Sequence, residues 1–123
     1  IYTELSDEEF TALLETKKLS EDFLHAERYA EGICLDISGG GMRFVGKKMI
    51  ETGMKLLLIF QIVVGGKEIK FRLPAIVRMS FSLPNDSTKY EHRVEFENIS
   101  KEYREILIKY IFEEERMMRK SAK

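Results

Sequence analysis

The sequence is poor in cysteine, in unbalanced charge and in long apolar runs. Its one cysteine, Cys34, cannot form an internal disulfide, which favours the cytoplasm. Lysine and arginine number 20 and aspartate and glutamate 21, and this balance argues against nucleic-acid binding, which needs surplus cations. The longest apolar run, Leu56 to Phe60, is far shorter than the roughly 20 residues of a membrane-spanning helix. We therefore expect a cytoplasmic protein with no signal peptide and no nucleic-acid or membrane partner.

The sequence also lacks the patterns of catalytic and metal sites. His25 and His92 are isolated, with no paired nucleophile and no cysteine–histidine cluster that would bind a metal. No Gly-Lys-Ser/Thr loop and no G-x-G-x-x-G opening a helix is present. We interpret Cys34 as a core-packing residue of a strand. The sequence therefore predicts no enzyme, no metal site and no cofactor.

The 123 residues, 44% of them apolar, suit one compact domain. The first third has helical signals: Ser6 and Glu9 form an S-x-x-E capping box, and Ser20 is a second candidate cap. Residues 6–29 are therefore expected to form one interrupted helix or two short ones. The apolar residues of the first stripe follow at helical spacing: Phe10, Leu13 and Leu14.

The middle of the chain has the alternation of strands. From Ile69 to Leu83 every odd position is apolar, which predicts one long strand, bent near Pro74. Met54 to Val64 is apolar on both faces, as in a central strand, and Gly65-Gly66 is a hairpin signal. Three further strands are predicted: Ile33 to Asp36, Met42 to Val45 and Tyr90 to Phe96. A turn from Pro84 to Ser87 precedes the last of them.

The end of the chain is predicted to be a helix that Ser100 caps. Its apolar stripe comprises Tyr103, Ile106, Leu107, Tyr110 and Ile111, and the polar segment from Glu113 to Lys123 is expected to fray. Short strands joined by hairpins and closed by a terminal helix favour a small antiparallel barrel with helical additions.

Residues 36–44 read DISGGGMRF, with three glycines between two predicted strands. One interpretation is structural: Asp36 and Ser38 bond the backbone locally in a tight turn. The other is functional: glycines permit positive φ, successive N–H groups form an anion nest, and a carboxylate beside a hydroxyl accepts the donor edge of guanine. Arg43, beside the turn, would reach a phosphate. The residues alone leave both interpretations open.

Asp36, Ser38 and Gly41, followed by Met42-Arg43-Phe44, resemble the D/N-x-S-x-x-G motif of PilZ domains. The order of the downstream segments is similar too, over roughly residues 30 to 116. The resemblance implies a six-stranded antiparallel barrel that binds cyclic di-GMP and couples binding to signal transduction. It further implies a protein partner or neighbouring domain and, from similarity to flagellar-brake-like members, control of motility. The residues expected to bind the nucleotide are Asp36, Ser38, Gly39, Gly40, Gly41 and Arg43.

The family's second motif, Arg-x-x-x-Arg just before the first strand, is missing, and only Arg28 precedes Asp36. One explanation is a longer protein with the arginines ahead of Ile1, which the non-Met start favours. The other is a degenerate member that binds proteins and no nucleotide. The first explanation divides one domain, residues 1–123, into a strand tail with a helical insertion (1–29), a barrel (30–99) and a C-terminal helix (100–123).

Overall fold

The computed structural model describes residues 1–16 and 21–121. All six strands pair antiparallel in one sheet, in the order β1-β4-β5-β6-β3-β2. Two short 3-10 helices, Glu21–Leu24 and Ala26–Arg28, lie between α1 and β2. The other elements are β1 (Tyr2–Leu5), α1 (Asp7–Thr16), β2 (Ile33–Ile37), β3 (Gly41–Gly46), β4 (Lys55–Val64), β5 (Lys67–Leu83), β6 (Asp86–Phe96) and α2 (Lys101–Ser121).

The sheet curls into a half-barrel whose two edge strands approach each other. Next to β2, Ala30 exchanges two backbone hydrogen bonds of 2.9 Å with Tyr2 of β1. This confirms the predicted mainly β fold with six antiparallel strands, an N-terminal helix and a C-terminal helix. The first strand precedes the helical segment, so the helices are an insertion between β1 and β2.

The core explains why β4 is apolar on both faces. Leu56 and Leu58 face the main core inside the half-barrel, where Phe71 is fully buried. Leu57, on the opposite face, packs with Phe10 of α1 in a second cluster. Burial on both faces stabilises the strand by removing apolar surface from water, so the predicted central strand is confirmed. Helix α2 closes the main core with Leu107, which has no exposed surface.

The caps of both helices form as predicted. The N–H of Ser6 donates to Glu9 Oε1 at 3.0 Å, and the N–H of Glu9 donates to Ser6 Oγ at 3.1 Å. At α2 the N–H of Tyr103 donates to Ser100 Oγ at 3.1 Å. The candidate cap Ser20 lies outside the described residues. Each cap satisfies an N–H that has no partner within its helix.

Four local expectations need correction. Helix α2 continues to Ser121 and does not fray from Glu113. Strand β5 keeps its register with β4 through Pro74, but its register with β6 shifts between Val77 and Met79 and again between Ser82 and Leu83. Met79, beyond the first shift, is exposed, so the predicted single apolar face from Ile69 to Leu83 ends at Val77. Proline is tolerated because its backbone faces the β6 side, where its carbonyl accepts the N–H of Glu97 at 2.8 Å and the β5–β6 ladder begins only at Ala75. The hairpin before β6 turns at residues 84–85, so residues 86–87 belong to the strand.

The Gly65-Gly66 hairpin is confirmed, with φ of 57° and 77°, values that favour glycine. In the described part of the chain, no helix is long and apolar enough to cross a membrane.

The buried ring of His92 predicts a pH-dependent stability. Its Nε2 donates to the Lys48 carbonyl at 3.0 Å, so in the neutral ring Nδ1 accepts the Ser80 hydroxyl at 2.8 Å. Desolvation by burial lowers the pKa of His92 from its ordinary value of 6.5. The unfolded chain therefore binds a proton that the folded chain resists, and stability falls as pH drops below 6.5.

We expect the free energy of unfolding to decline toward acid with a slope of at most about 1.4 kcal/mol per pH unit, the value for one proton. Urea denaturation between pH 7.5 and 5.5, a window of about two units around the ordinary histidine pKa, measures it. His92→Gln should reduce this slope, whereas His25→Gln, at an exposed ring, should keep it. An unchanged slope in His92→Gln would assign the acid sensitivity to other groups.

Candidate functional site

Ser38 holds the glycine turn together through local hydrogen bonds. Its Oγ accepts the N–H groups of Gly40 at 3.3 Å and Gly41 at 3.1 Å, and its own N–H donates to the Gly41 carbonyl at 2.9 Å. These are the bonds that the structural interpretation of the turn predicts. The expected anion nest is wrong for the amides of Gly40 and Gly41, because Ser38 already occupies both.

The three glycines of the turn differ in the space around their Cα atoms, and none of them is required by a positive φ. None of Gly39, Gly40 and Gly41 has a positive φ, so that expectation is wrong. A Cβ on Gly41 would overlap the carbonyl oxygen of Val94 on β6. A Cβ on Gly39 would lie 3.3 Å from Arg104 Cγ of α2, whereas one on Gly40 would meet nothing within 4 Å. The turn is therefore wedged between β6 and α2.

This packing predicts a large difference between two glycine substitutions. Gly41→Ala should lower the free energy of unfolding by about 1–3 kcal/mol, because the methyl group must displace a backbone carbonyl. Gly40→Ala should change it by less than about 0.5 kcal/mol, because its methyl group enters open space. Urea denaturation of both variants measures the difference. Equal losses would contradict the close approach of the Gly41 backbone to Val94.

A β-bulge places Asp36 on the outer face of the sheet. Cys34 pairs with Phe44, but the next pair is Asp36 with Arg43, so Leu35 is an extra residue in β2. Without this bulge, Leu35 would stand beside Arg43 and Asp36 would point to the other face. On the far side of β3, Arg43 pairs with Arg93 of β6. One carboxylate and two guanidinium groups thus form a row across three strands.

This row borders a shallow pocket of about 190 Å³ next to the turn. The pocket is lined by Asp36, Ile37, Ser38, Gly41, Met42, Arg43, Arg93 and Val94. Of the six residues predicted from the sequence, the structure brings four to this pocket: Asp36, Ser38, Gly41 and Arg43. Gly39 and Gly40 belong to the adjoining turn but do not line it.

Glu91 links the two arginines of the site and holds them unequally. Its Oε2 accepts from Arg93 Nε at 3.1 Å and lies 3.7 Å from Arg43 Nη1. Arg93 also lies over the Phe81 ring, with Cζ 5.6 Å from the centroid. Arg43 is 3.7 Å from Asp36 as well, which is too long for a strong hydrogen bond. Arg93 therefore has the shorter contact with Glu91, whereas Arg43 has two longer contacts that a ligand can replace.

The sequence interpretation missed Arg93 and Glu91. Both lie on the face of β6 opposite the core residues His92 and Val94, where Arg93 is exposed and Glu91 is buried. The alternation of apolar residues in β6 predicts which face of the sheet these two residues occupy. Only the register between β3 and β6 places them beside Arg43. No motif in the sequence marks that register.

Arg28, the only arginine ahead of Asp36, has a structural role. Its Nη2 is 2.7 Å from Glu9 Oε2, and its Nε donates to Thr3 Oγ1 at 3.0 Å. Its guanidinium also lies 4.3 Å from the centre of the Phe23 ring. These contacts fasten the helical insertion to β1, so Arg28 cannot stand in for the missing arginine motif.

Cys34 is exposed, and its interpretation as a core residue is wrong. Strand β2 is an edge strand that pairs only with β3, and its residues face little protein. A short apolar strand pattern does not distinguish an edge strand from a buried one.

Comparison with known proteins agrees with this fold. A model of the PilZ domain matches residues 17–113, most of the chain. The chain therefore belongs to the PilZ domain family. No curated protein and no solved structure matches it. PilZ domains are known cyclic di-GMP-binding modules and are generally receptors and not enzymes.

Proposed function

We propose that this chain is a cyclic di-GMP receptor and that the nucleotide binds at the outer-face pocket beside the glycine turn. The observation that carries the proposal is the row of Asp36, Arg43 and Arg93 across β2, β3 and β6. It gives one acceptor and two bidentate donors on the rim of a single depression.

Each end of this row suits a different part of the nucleotide. The Asp36 side chain is 66% exposed, so its two oxygens are free to accept the N1–H and N2–H₂ donors of guanine. The guanidinium groups of Arg43 and Arg93 match the geometry of phosphate oxygens, which they would bind in pairs of hydrogen bonds. Ser38 and the glycines act indirectly, by fixing the turn against β6 and α2.

Binding would redistribute the partners of Arg43. Without ligand, the charges of Asp36 and Glu91 balance those of Arg43 and Arg93. A phosphate would draw Arg43 away from Asp36 and Glu91, because a short charge-assisted bond is stronger than two contacts of 3.7 Å. Asp36 would then be free for the base. Arg93 would stay in place, anchored by Glu91.

The pocket covers only part of such a ligand. Its 190 Å³ is below the range of about 300–1,000 Å³ that is usual for small-molecule sites. We place the rest of the site in the Arg-x-x-x-Arg element that the family carries before its first strand. Ordering of that element over the turn would set the angle to a neighbouring domain or partner. Cytoplasmic signalling, with control of motility as one output, is part of the same proposal.

Calorimetric titration tests the proposal. Cyclic di-GMP is titrated into this chain and into the complete gene product, with cyclic di-AMP as the control ligand. Adenine lacks the paired donor edge that Asp36 would accept, so only cyclic di-GMP should bind. Binding restricted to the complete gene product would place the missing arginines outside this chain. Absence of binding by both forms, or equal binding of both nucleotides, would contradict the proposal.

A second candidate is a protein-interaction domain that binds no nucleotide. The absence of Arg-x-x-x-Arg in the sequence and the clamping of Arg28 by Glu9 favour it. If the complete gene product also lacks paired arginines ahead of the barrel, the protein-interaction function is favoured over nucleotide binding. An Arg-x-x-x-Arg motif at that place counts strongly against it.

A further inference from the structure

Helix α2 carries an exposed apolar pair on the side turned away from the core. Ile108 is 42% exposed and Phe112 is 58% exposed, one helical turn apart. They line a shallow depression of about 500 Å³ along the helix. The six residues that line it, here called the α2 stripe, are Glu105, Ile108, Lys109, Phe112, Glu113 and Arg116.

The charges of the α2 stripe alternate along the helix. In order they are negative at Glu105, positive at Lys109, negative at Glu113 and positive at Arg116. Glu113 accepts the N–H of Gly65 at 3.3 Å. Within the described part of the chain, Glu105, Lys109 and Arg116 form no ion pair. The stripe therefore presents an apolar pair and three uncompensated charges to a partner.

We propose that the α2 stripe binds the same stripe of a second copy, with the two helices antiparallel. This arrangement sets Glu105 against Arg116 of the second copy and Lys109 against Glu113. The midpoints of both charge pairs, and of the contact of Ile108 with Phe112, lie within one residue of each other, from residue 110 to residue 111 of the helix. A twofold axis there produces every contact twice, as a self-complementary interface requires. Parallel helices in register would instead oppose like charges, so the pattern selects the antiparallel pairing.

The dimer is independent of the proposed nucleotide site. The stripe lies on α2, whereas the pocket lies on β2, β3 and β6, and they approach each other only where Ile108 passes the turn at Gly39. Failure of one proposal therefore leaves the other testable. The dimer is examined without nucleotide.

Sedimentation equilibrium over a range of chain concentrations measures the association. We expect a concentration-dependent monomer–dimer equilibrium. Phe112→Glu should raise the dimer Kd by at least about 100-fold, because it buries two new charges at the centre of the interface. Met49→Glu is the matched control, since Met49 is also 58% exposed, and it should leave the Kd unchanged. Circular dichroism checks that both variants keep the helix and sheet content.

A charge-reversal cycle tests the antiparallel register. Glu105→Arg and Arg116→Glu should each weaken the dimer several-fold, because each opposes two like charges across the interface. The double variant should restore the wild-type Kd, since its charges are again opposite. Lys109→Glu with Glu113→Lys repeats the test at the second pair. A monomer at every soluble concentration, a dimer indifferent to Phe112→Glu, or a double variant without rescue would overturn the proposal.

Discussion

Replacing Asp36 with alanine is expected to abolish measurable cyclic di-GMP binding while the fold stays intact. The carboxylate would accept two hydrogen bonds from guanine, each worth about 1.5–3 kcal/mol when one partner is charged. Their joint loss lowers affinity by roughly 100-fold or more. The fold survives because Asp36 is exposed and its contact with Arg43 is long, at 3.7 Å. Calorimetry on the form of the protein that binds the nucleotide measures this loss.

Two further aspartate substitutions sharpen that result. Asp36→Asn keeps an acceptor oxygen, so it should retain part of the affinity. Asp86→Ala removes a carboxylate that bonds Thr88 next to a different hairpin, and it should leave affinity unchanged. Unaltered binding in Asp36→Ala would remove this residue from the site. A loss as large in Asp86→Ala would show that the effect is indirect.

Phe71→Ala is expected to have the largest effect on stability, a loss of about 3–5 kcal/mol. The Phe71 ring is fully buried, stacks on Phe60 at 5.0 Å and contacts Tyr103 of α2 at 4.8 Å between centroids. Its removal leaves a cavity where β4, β5 and α2 meet. Small domains unfold with about 5–15 kcal/mol, so this loss is a large fraction of the total. Urea denaturation gives the free energy of unfolding.

Phe112→Ala is the matched control, because it makes the same chemical change at a ring that is 58% exposed. At a concentration that keeps the chain monomeric, it should cost less than about 0.5 kcal/mol. Phe71→Leu should cost less than Phe71→Ala, since leucine fills more of the space. If Phe71→Ala and Phe112→Ala were equally stable, Phe71 would not join α2 to the sheet.

The strands and caps were predictable because their signals are local. The alternation from Ile69 to Val77 and the two apolar faces of Met54 to Val64 follow directly from which side of a strand each residue faces. The alternation predicted on to Leu83 does not keep its face, because the register shift after Val77 turns Met79 and Phe81 outward. The capping box of Ser6 and Glu9 is likewise a contact between near neighbours. Cys34 was misplaced because an edge position depends on strand order, which no short window of sequence contains.

The site was predictable only in part, for the same physical reason. The motif located Asp36, Ser38 and Gly41, but the need for glycine at position 41 comes from the Val94 carbonyl of a distant strand. The bulge at Leu35, which turns Asp36 outward, and the β3–β6 register, which adds Arg93, are likewise products of strand pairing. Local pattern thus identified the turn, and tertiary structure assembled the pocket around it.

The most direct test of the central claim is a nuclear magnetic resonance titration of the isotope-labelled chain with cyclic di-GMP. Amide shifts report binding even at millimolar Kd, a free energy of only about 4 kcal/mol, so an incomplete site is still detected. We predict shifts concentrated at residues 36–43 and 91–95, on the face that carries Asp36, Arg43 and Arg93. Absence of shifts at excess nucleotide in both this chain and the complete gene product, or shifts clustered elsewhere, as in the depression between Ile33 and Lys47, would contradict the account.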